Sequence, residues 1–300
     1  MLHEIDKILE ADSKHIGDLL RPESISLTVT SPPYRNAIDY QRHVENLRLN
    51  EGHYYRGKER MELQDYLKGM QQVFDEVLKL TKPGGFCAIV IGNEVVNGTV
   101  IPLAALLLST LLGGGAADAR SSDQWSLHEE IIWNKVTGGT NRFGVTVRNH
   151  YPTNFRANIM HEHILVLRKG SGHLRKSNSR EDDFPLNSVM KREIANSVWN
   201  IAPVPPNYLR GHPCPFPEQI PWRLIMLYTY PGDTILDPFN GSGQTTKVAK
   251  RMGRHYFGVD ILPDYVKLAK KRLKEPLHLS KNFIIPRWEL ERWDDALVKT

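Results

Sequence analysis

Short apolar, β-branched runs alternate along this chain with stretches whose apolar residues recur at helical spacing, the pattern of an α/β domain with a largely parallel sheet. Ile25 to Thr30 reads as a buried strand that stops at Ser31-Pro32-Pro33, because proline cannot continue a ladder. Leu63, Leu67, Met70, Phe74, Val77 and Leu78 predict a helix over 63–80. Lys82-Pro83-Gly84-Gly85 then turns the chain into a strand from Phe86 to Ile91. A helix is expected over Leu103 to Leu112, a Gly/Ala-rich loop to Ser122, and strands at Glu129–Trp133 and Ile164–Leu167. Pro203 to Pro217 is a proline-dense connector. Beyond it the pattern predicts a helix near Pro221–Tyr228, a strand at Thr234–Leu236 and a helix over Gln244–Arg251. A strand at Tyr256–Val259 and a helix over Asp264–Leu273 follow, and then a tail packed by Phe283, Ile284 and Trp288.

Composition adds little to that picture and removes several alternatives. The 300 residues can bury one large core, or a core with an inserted subdomain. The longest apolar stretch, Val100 to Leu112, is interrupted by Pro102 and Ser109 and is too short to span a bilayer. The first residues carry acids and no apolar segment of the kind that directs secretion. Two cysteines, Cys87 and Cys214, build neither a disulfide framework nor a cysteine zinc site, so no metal and a reducing, cytoplasmic setting are expected. Charge says more by its distribution than by its net value of +5. Between Lys135 and Arg180 the chain holds Arg142, Arg148, Arg156, Arg168, Lys169, Arg175 and Lys176, opposed only by Glu162. A run so short of acids suits phosphate contacts better than a solvated surface.

Two short motifs carry chemistry. Asp237-Pro238-Phe239-Asn240-Gly241-Ser242-Gly243-Gln244-Thr245 sits between a predicted strand and a predicted helix, and the next strand ends in Gly258-Val259-Asp260. Glycines there let backbone approach a ligand, and an acid such as Asp260 can accept hydrogen bonds from ribose hydroxyls. A dinucleotide site calls for a third glycine where this chain has Thr246, which argues against NAD. Thr30-Ser31-Pro32-Pro33-Tyr34 ends a hydrophobic strand. The exocyclic amine of cytosine or adenine is a poor nucleophile, because its lone pair is delocalised into the ring. Acceptors aimed at its two N–H groups draw the nitrogen toward tetrahedral geometry. The Ser31 hydroxyl and the Pro32 carbonyl are such acceptors, the prolines fix their directions, and Tyr34 offers a face on which an extruded base can stack.

These motifs resemble those of the S-adenosylmethionine-dependent DNA amino-methyltransferases. The loop Asp237-x-Phe239-x-Gly241-x-Gly243 resembles their cofactor loop, and Ser31-Pro32-Pro33-Tyr34 their Ser/Asp-Pro-Pro-Tyr catalytic motif. The catalytic motif precedes the loop by about two hundred residues, the circular order of the β group. Gly17-Asp18 is similar to the acid that contacts the cofactor adenine, and Trp133-Asn134-Lys135 to a motif near the target base. His212 to Pro217, including Phe216 and Pro217, is similar to the segment at the cofactor's methionine end.

The resemblance implies a mostly parallel, Rossmann-like sheet with helices on both faces, S-adenosylmethionine as cofactor and duplex DNA as partner. It implies Asp18, Phe216, Pro217, Asp237, Phe239, Gly241, Gly243, Thr245 and Asp260 as cofactor residues. Residues 1–136 would be the catalytic half and 200–275 the cofactor half, with a tail at 276–300. Residues 137–199 would be a target-recognition region that also contributes a core strand near 161–168. There Lys135, Arg142, Arg148, Asn149 and Arg156 are the candidates for DNA contacts. The polar loop from Arg35 to Arg60, with Tyr40, Tyr54 and Tyr55, reads equally as a cover for the extruded base or as plain surface. Serine in the first catalytic position implies transfer to N4 of cytosine, with N6 of adenine the alternative. An inactive DNA binder of this fold, or methylation of another polymer, stays open, as do a cognate restriction endonuclease and the choice between monomer and homodimer. Cytosine C5 chemistry through Cys214 is disfavoured, since no acid partner is evident and the cysteine precedes the cofactor loop.

Overall fold

The structure, a computed structural model, describes residues 4–33, 35, 61–96, 98–114, 123–135, 157, 159–171, 190–204 and 215–279. Ten strands and five α-helices occur among them. In chain order they are β1 (Lys7–Glu10), β2 (Ile25–Thr30), α1 (Leu63–Leu80), β3 (Thr81–Ile91), β4 (Glu94–Val96), β5 (Thr99–Ile101), α2 (Leu103–Leu111), β6 (Trp125–Asn134), β7 (His161–Lys169), β8 (Val198–Asn200), α3 (Gln219–Tyr228), β9 (Thr234–Asp237), α4 (Gln244–Arg251), β10 (His255–Asp260) and α5 (Pro263–Arg272).

Eight of the strands form one sheet in the order β1-β10-β9-β2-β3-β7-β6-β8, and β4 with β5 make a separate hairpin. The first five strands of that order are parallel. β7 runs antiparallel to both its neighbours, and β8 adds to β6 in parallel. The sheet is therefore mostly parallel, as its continuous apolar strands require: a strand covered on both faces has no polar side to show. Leu27, Val29, Ala88, Val90, Ile164 and Val166 meet Trp222, Ile225, Val248 and Val266 of the α3–α5 layer on one face. On the other, Ile89, Leu165, Leu236 and Val259 meet Phe74, Val77, Leu103 and Leu107 of α1 and α2.

The helical spacing read in α1 corresponds to its buried stripe, since Leu67, Met70, Phe74 and Val77 all face the core. The Lys82–Gly85 turn is absorbed into β3 instead of preceding it. Ile25 pairs with Thr81 and Leu27 with Phe86, so two steps of β2 span five of β3. Pro83, which lacks a donor, and Gly84, at φ 80°, sit inside that bulge. β1 and β8 are three- or four-residue edge strands that periodicity does not announce. β8 joins the main sheet beside β6, and Met190, Ile194 and Trp199 are buried in the core.

Candidate active site

β9 leads through α4 to β10 on one side of the sheet, whereas β2, its neighbour, leads through α1 to β3 on the other. The connections diverge, α4 packing on one face and α1 on the opposite one. Such a switch point opens a crevice at the carboxyl ends of the two strands, where ligands of open α/β sheets bind. Both motifs lie there. Asp237 is the last residue of β9, and Ser31 directly follows β2.

Hydrogen bonds lock the motifs together across the crevice. Thr30 Oγ1 donates to Asp237 Oδ1 at 2.7 Å, and Thr245 Oγ1 donates to the Val29 carbonyl at 3.0 Å. The Phe239 amide also donates to Asp237 Oδ1, at 3.1 Å. Asp237 is 1% exposed. Burial pushes its carboxyl up to about 7, against the pull of the Thr30, Phe239 and Thr245 hydrogen bonds, and Asp260 adds a smaller push in the same direction.

Asp260 closes the loop from the other side. Its two oxygens accept from the Gly241 amide at 2.8 Å and the Leu262 amide at 2.9 Å. Burial raises its pKa too, with those two amides opposing. Asp237 is buried and Asp260 half-buried, and burial opposes the ionisation of both. Beneath the loop, Asn240 Nδ2 and Gln244 Oε1 are buried with no hydrogen-bond partner among the described residues.

Close approach explains the glycines. Gly243 has φ +80°, and a side chain there would stand 2.9 Å from Ala269 Cβ. On the neighbouring strand, a Cβ on Gly258 would fall 2.7 Å from the Asn240 side chain, so the loop can rest on β10 only at a glycine.

The segment before α3 is fastened to the same loop. Gln244 Nε2 donates to the Phe216 carbonyl at 2.6 Å. Glu218 Oε1 accepts from Lys247 Nζ at 2.7 Å and from Arg272 Nη2 at 2.8 Å, and Arg272 Nη1 donates to the Ser242 carbonyl at 2.6 Å. Phe216 is thereby tied to Gln244, the first residue of α4.

Two residues sit differently from expectation. Asp18 is exposed at the far end of the 3-10 turn Ser13–Asp18, next to Gly17, whose missing side chain would run into Glu76 near the end of α1. Two residues past the end of β1, Asp12 caps that turn by accepting from the Lys14 amide at 3.0 Å. The Ala11 amide beside it donates to the Asp260 carbonyl at 3.1 Å, and Ser13 Oγ donates to the Pro238 carbonyl.

Lys135 is ion-paired. Its Nζ lies 2.5 Å from Glu162 Oε1 and 4.8 Å from the centre of the Trp133 ring. Glu162 was the one acid in the basic stretch, and the fold gives it to Lys135. Tyr34, Arg142, Arg148, Asn149, Arg156 and Cys214, with most of the 35–60 loop, lie outside the described residues. Cys87 is buried in the core and burial raises its thiol pKa, so it is inert packing. Among the described residues no group of side chains has the makeup of a metal site, and no helix is long and apolar enough to cross a membrane.

Known proteins resemble this chain over most of its length. The family described as DNA methylase (the N6/N4 methylases) matches residues 25–271, from β2 to the end of α5. The type II methyltransferase M.SmaI of Serratia marcescens is 28% identical over 89% of this chain and 90% of its own length. The type II beta methyltransferase M.BslI of a Bacillus strain is 26% identical over 89% of this chain, which spans only 27% of that longer protein. Among solved structures, a Thermus thermophilus protein described as a DNA modification methylase and complexed with S-adenosyl-L-methionine superimposes with a TM-score of 0.66. It is 25% identical, over 90% of this chain and 93% of its own. The cytosine-N4-specific PvuII DNA methyltransferase shares the fold at a TM-score of 0.65 and 20% identity, over 96% of this chain and 90% of its own. A Ser-Pro-Pro turn and a glycine loop meeting at one switch point, within a match that runs from the first to the last core element, place this chain in the DNA methylase family, as a β-group amino-methyltransferase.

Proposed function

We propose that this protein transfers a methyl group from S-adenosylmethionine to the exocyclic N4 of cytosine in duplex DNA. The observation that carries the reading is the Thr30–Asp237 hydrogen bond, because it brings the end of the catalytic strand and the end of the cofactor strand to one crevice. The donor set suits that cofactor: Asp237 and Asp260 offer carboxylates to a cation and to hydroxyls, Phe239 and Phe216 offer apolar surface, and Asp12, in the turn just past β1, is proposed to meet the adenine. When bound, the cofactor supplies a methyl group made electrophilic by a sulfonium.

The chain's own residues prepare the nucleophile. Ser31 Oγ and the Pro32 carbonyl accept the two amine N–H bonds and free the nitrogen lone pair. The flanking prolines keep those acceptors from reorienting. No side-chain base is required, since the methylated amine is a strong enough acid to lose its proton to water. The target base must leave the stack, at a cost of a few kcal/mol. Lys135, Arg142, Arg148, Asn149 and Arg156 are proposed to hold the duplex. Serine in place of aspartate at the head of the motif is what favours cytosine N4 over adenine N6.

The test is direct. Purified protein, labelled S-adenosylmethionine and mixed-sequence DNA are incubated, the DNA is digested to nucleosides, and the labelled nucleoside is identified by mass spectrometry. N4-methylcytosine is expected. N6-methyladenine would overturn the base assignment and keep the transfer reaction, whereas unlabelled DNA would sink the DNA reading. With the product in hand, Ser31→Ala is expected to lower kcat by roughly tenfold to a hundredfold through loss of one aimed acceptor, with cofactor affinity within twofold of the parent. An unchanged kcat would remove Ser31 from the mechanism.

A further inference from the structure

One buried ion pair beside the catalytic turn is used by none of the chemistry above. Arg35 follows the Ser31–Tyr34 motif by one residue. Its guanidinium donates to Glu94 Oε2 through Nε at 3.2 Å and Nη2 at 3.1 Å, and to the Met61 carbonyl through Nη1 at 3.0 Å. The two side chains are only 8% and 9% exposed. Glu94 Oε1 is buried with no hydrogen-bond partner among the described residues, so the carboxylate depends there on Arg35 for compensation. A surface ion pair of this kind would be worth little, but a buried one is held firmly once formed.

Glu94 in turn stands on a rigid frame. It opens the β4–β5 hairpin, where it pairs with Ile101. Its neighbour Asn93 accepts the Ala104 amide at the start of α2 and places Nδ2 3.4 Å from His163 Nε2 on β7. His163 Nδ1 lies 2.6 Å from Glu130 on β6. Four elements therefore fix the position of Glu94. Met61, the second anchor of Arg35, lies just ahead of α1. On its strand side the catalytic turn is fixed by β2; on its exit side, the described anchor is Arg35.

Resting on the methyl-transfer reading, we propose that Glu94 and Arg35 are positioning residues for the catalytic turn. Through Arg35, Glu94 holds the exit of Ser31-Pro32-Pro33 against the frame of the sheet, so that the Ser31 and Pro32 acceptors keep a single direction. Neither residue touches the reacting atoms. The signal is absent from the sequence, because a lone Arg and a lone Glu 59 positions apart carry no pattern.

The experiment compares E94A, R35A, the double variant and E94Q in the full chain by three readouts. The first is kcat on DNA, the second calorimetric affinity for S-adenosylmethionine, and the third hydrogen exchange of the 29–35 segment. Each alanine variant is expected to lose about a hundredfold in kcat, the cost of a displacement near 1 Å at a reacting centre. Cofactor affinity stays within twofold. The double variant is no slower than the worse single one, since the two side chains act as a unit. Exchange in 29–35 accelerates at least tenfold while 234–245 is unchanged. E94Q keeps an acceptor for Arg35 and recovers most of the lost rate.

Single-variant rates within threefold of the parent, multiplying losses in the double variant, or cofactor affinity falling in step with kcat would each overturn the proposal. If the alanine variants fail to fold, E94Q and R35K carry the same comparison, because Lys cannot reach Glu94 and the Met61 carbonyl together. The exchange readout needs no turnover. A parent protein inactive on DNA would sink the functional reading, and the exchange result would still decide for or against the clamp.

Discussion

Glu218→Ala is expected to cost about 3–5 kcal/mol of folding stability, the range for removing one partner of a buried ion network. Lys247 and Arg272 are 0% and 1% exposed, and both donate to one oxygen of Glu218, while its other oxygen accepts the His278 amide at 2.7 Å. Without the carboxylate, two cations stay buried, and the remaining acid within reach, Glu275, is 39% exposed. Burial already lowers the Lys247 pKa, and Glu218 is the first force opposing that shift. In the variant the Lys247 pKa falls further below its unfolded value. Between those two values the unfolded state binds more protons, so the deficit shrinks as pH rises toward 10.5. Cofactor affinity should fall too, because Arg272 no longer holds the Ser242 carbonyl in place and the Glu218 end of the Phe216–Pro217 segment is loose. Urea denaturation at pH 7 and pH 10 checks the stability claim and calorimetry the affinity, with Glu218→Gln, which keeps an acceptor, intermediate. A loss below 1 kcal/mol with the same slope against pH would show that the two cations find other partners.

Asp237→Asn should do the reverse to stability and more damage to binding. The folded carboxyl titrates near 7, the unfolded one near 3.8. Proton uptake therefore favours the folded state at low pH, and this contribution is lost as pH rises through 7. Asparagine resembles the protonated acid and retains an Oδ1 for Thr30 and the Phe239 amide, yet has no charge to bury. The ligand-free variant is expected to exceed the parent by on the order of 3 kcal/mol above pH 7 and to match it near pH 4. Its affinity for S-adenosylmethionine should be at least tenfold weaker at pH 8, from about 1.4 kcal/mol or more of lost charge pairing. In the parent, affinity should climb as pH rises through 7; in the variant that climb should vanish. Thermal unfolding and calorimetry at pH 5 and pH 8 give the answer. A variant that binds as tightly as the parent would remove Asp237 from the cofactor site.

Some elements were fully legible and others were not, for identifiable reasons. β2, α1 and α4 match their expected bounds because each joins a strong period to a hard stop: Pro32 after β2, Thr81 at the turn into β3, Gly253 after α4. β6 and β7 extend beyond the expected runs at both ends, since polar residues such as Ser126, His163 and Arg168 are carried by cross-strand pairing, not by apolar content. Asp18 illustrates the limit at the site. A Gly-Asp pair is visible in the sequence, but how far Asp18 lies from the end of β1 depends on the pairing of Lys7–Glu10 with Phe257–Asp260, a contact across some 250 residues.

By itself the sequence determined the α/β class, the two motifs, their circular order and the chemistry that Ser-Pro-Pro and a glycine loop can perform. Each of these is local, set by side chains within a few positions of one another. The tertiary structure alone decided that β9 and β2 are neighbours, that Thr30 grips Asp237, and that Glu218, Lys247 and Arg272 share one buried site. It also gave Lys135 to Glu162 and Arg35 to Glu94. Charged residues read singly along a chain look solvated. Which of them become buried partners depends on strand order and helix packing, and burial is what turns a weak surface charge into a fixed part of the site.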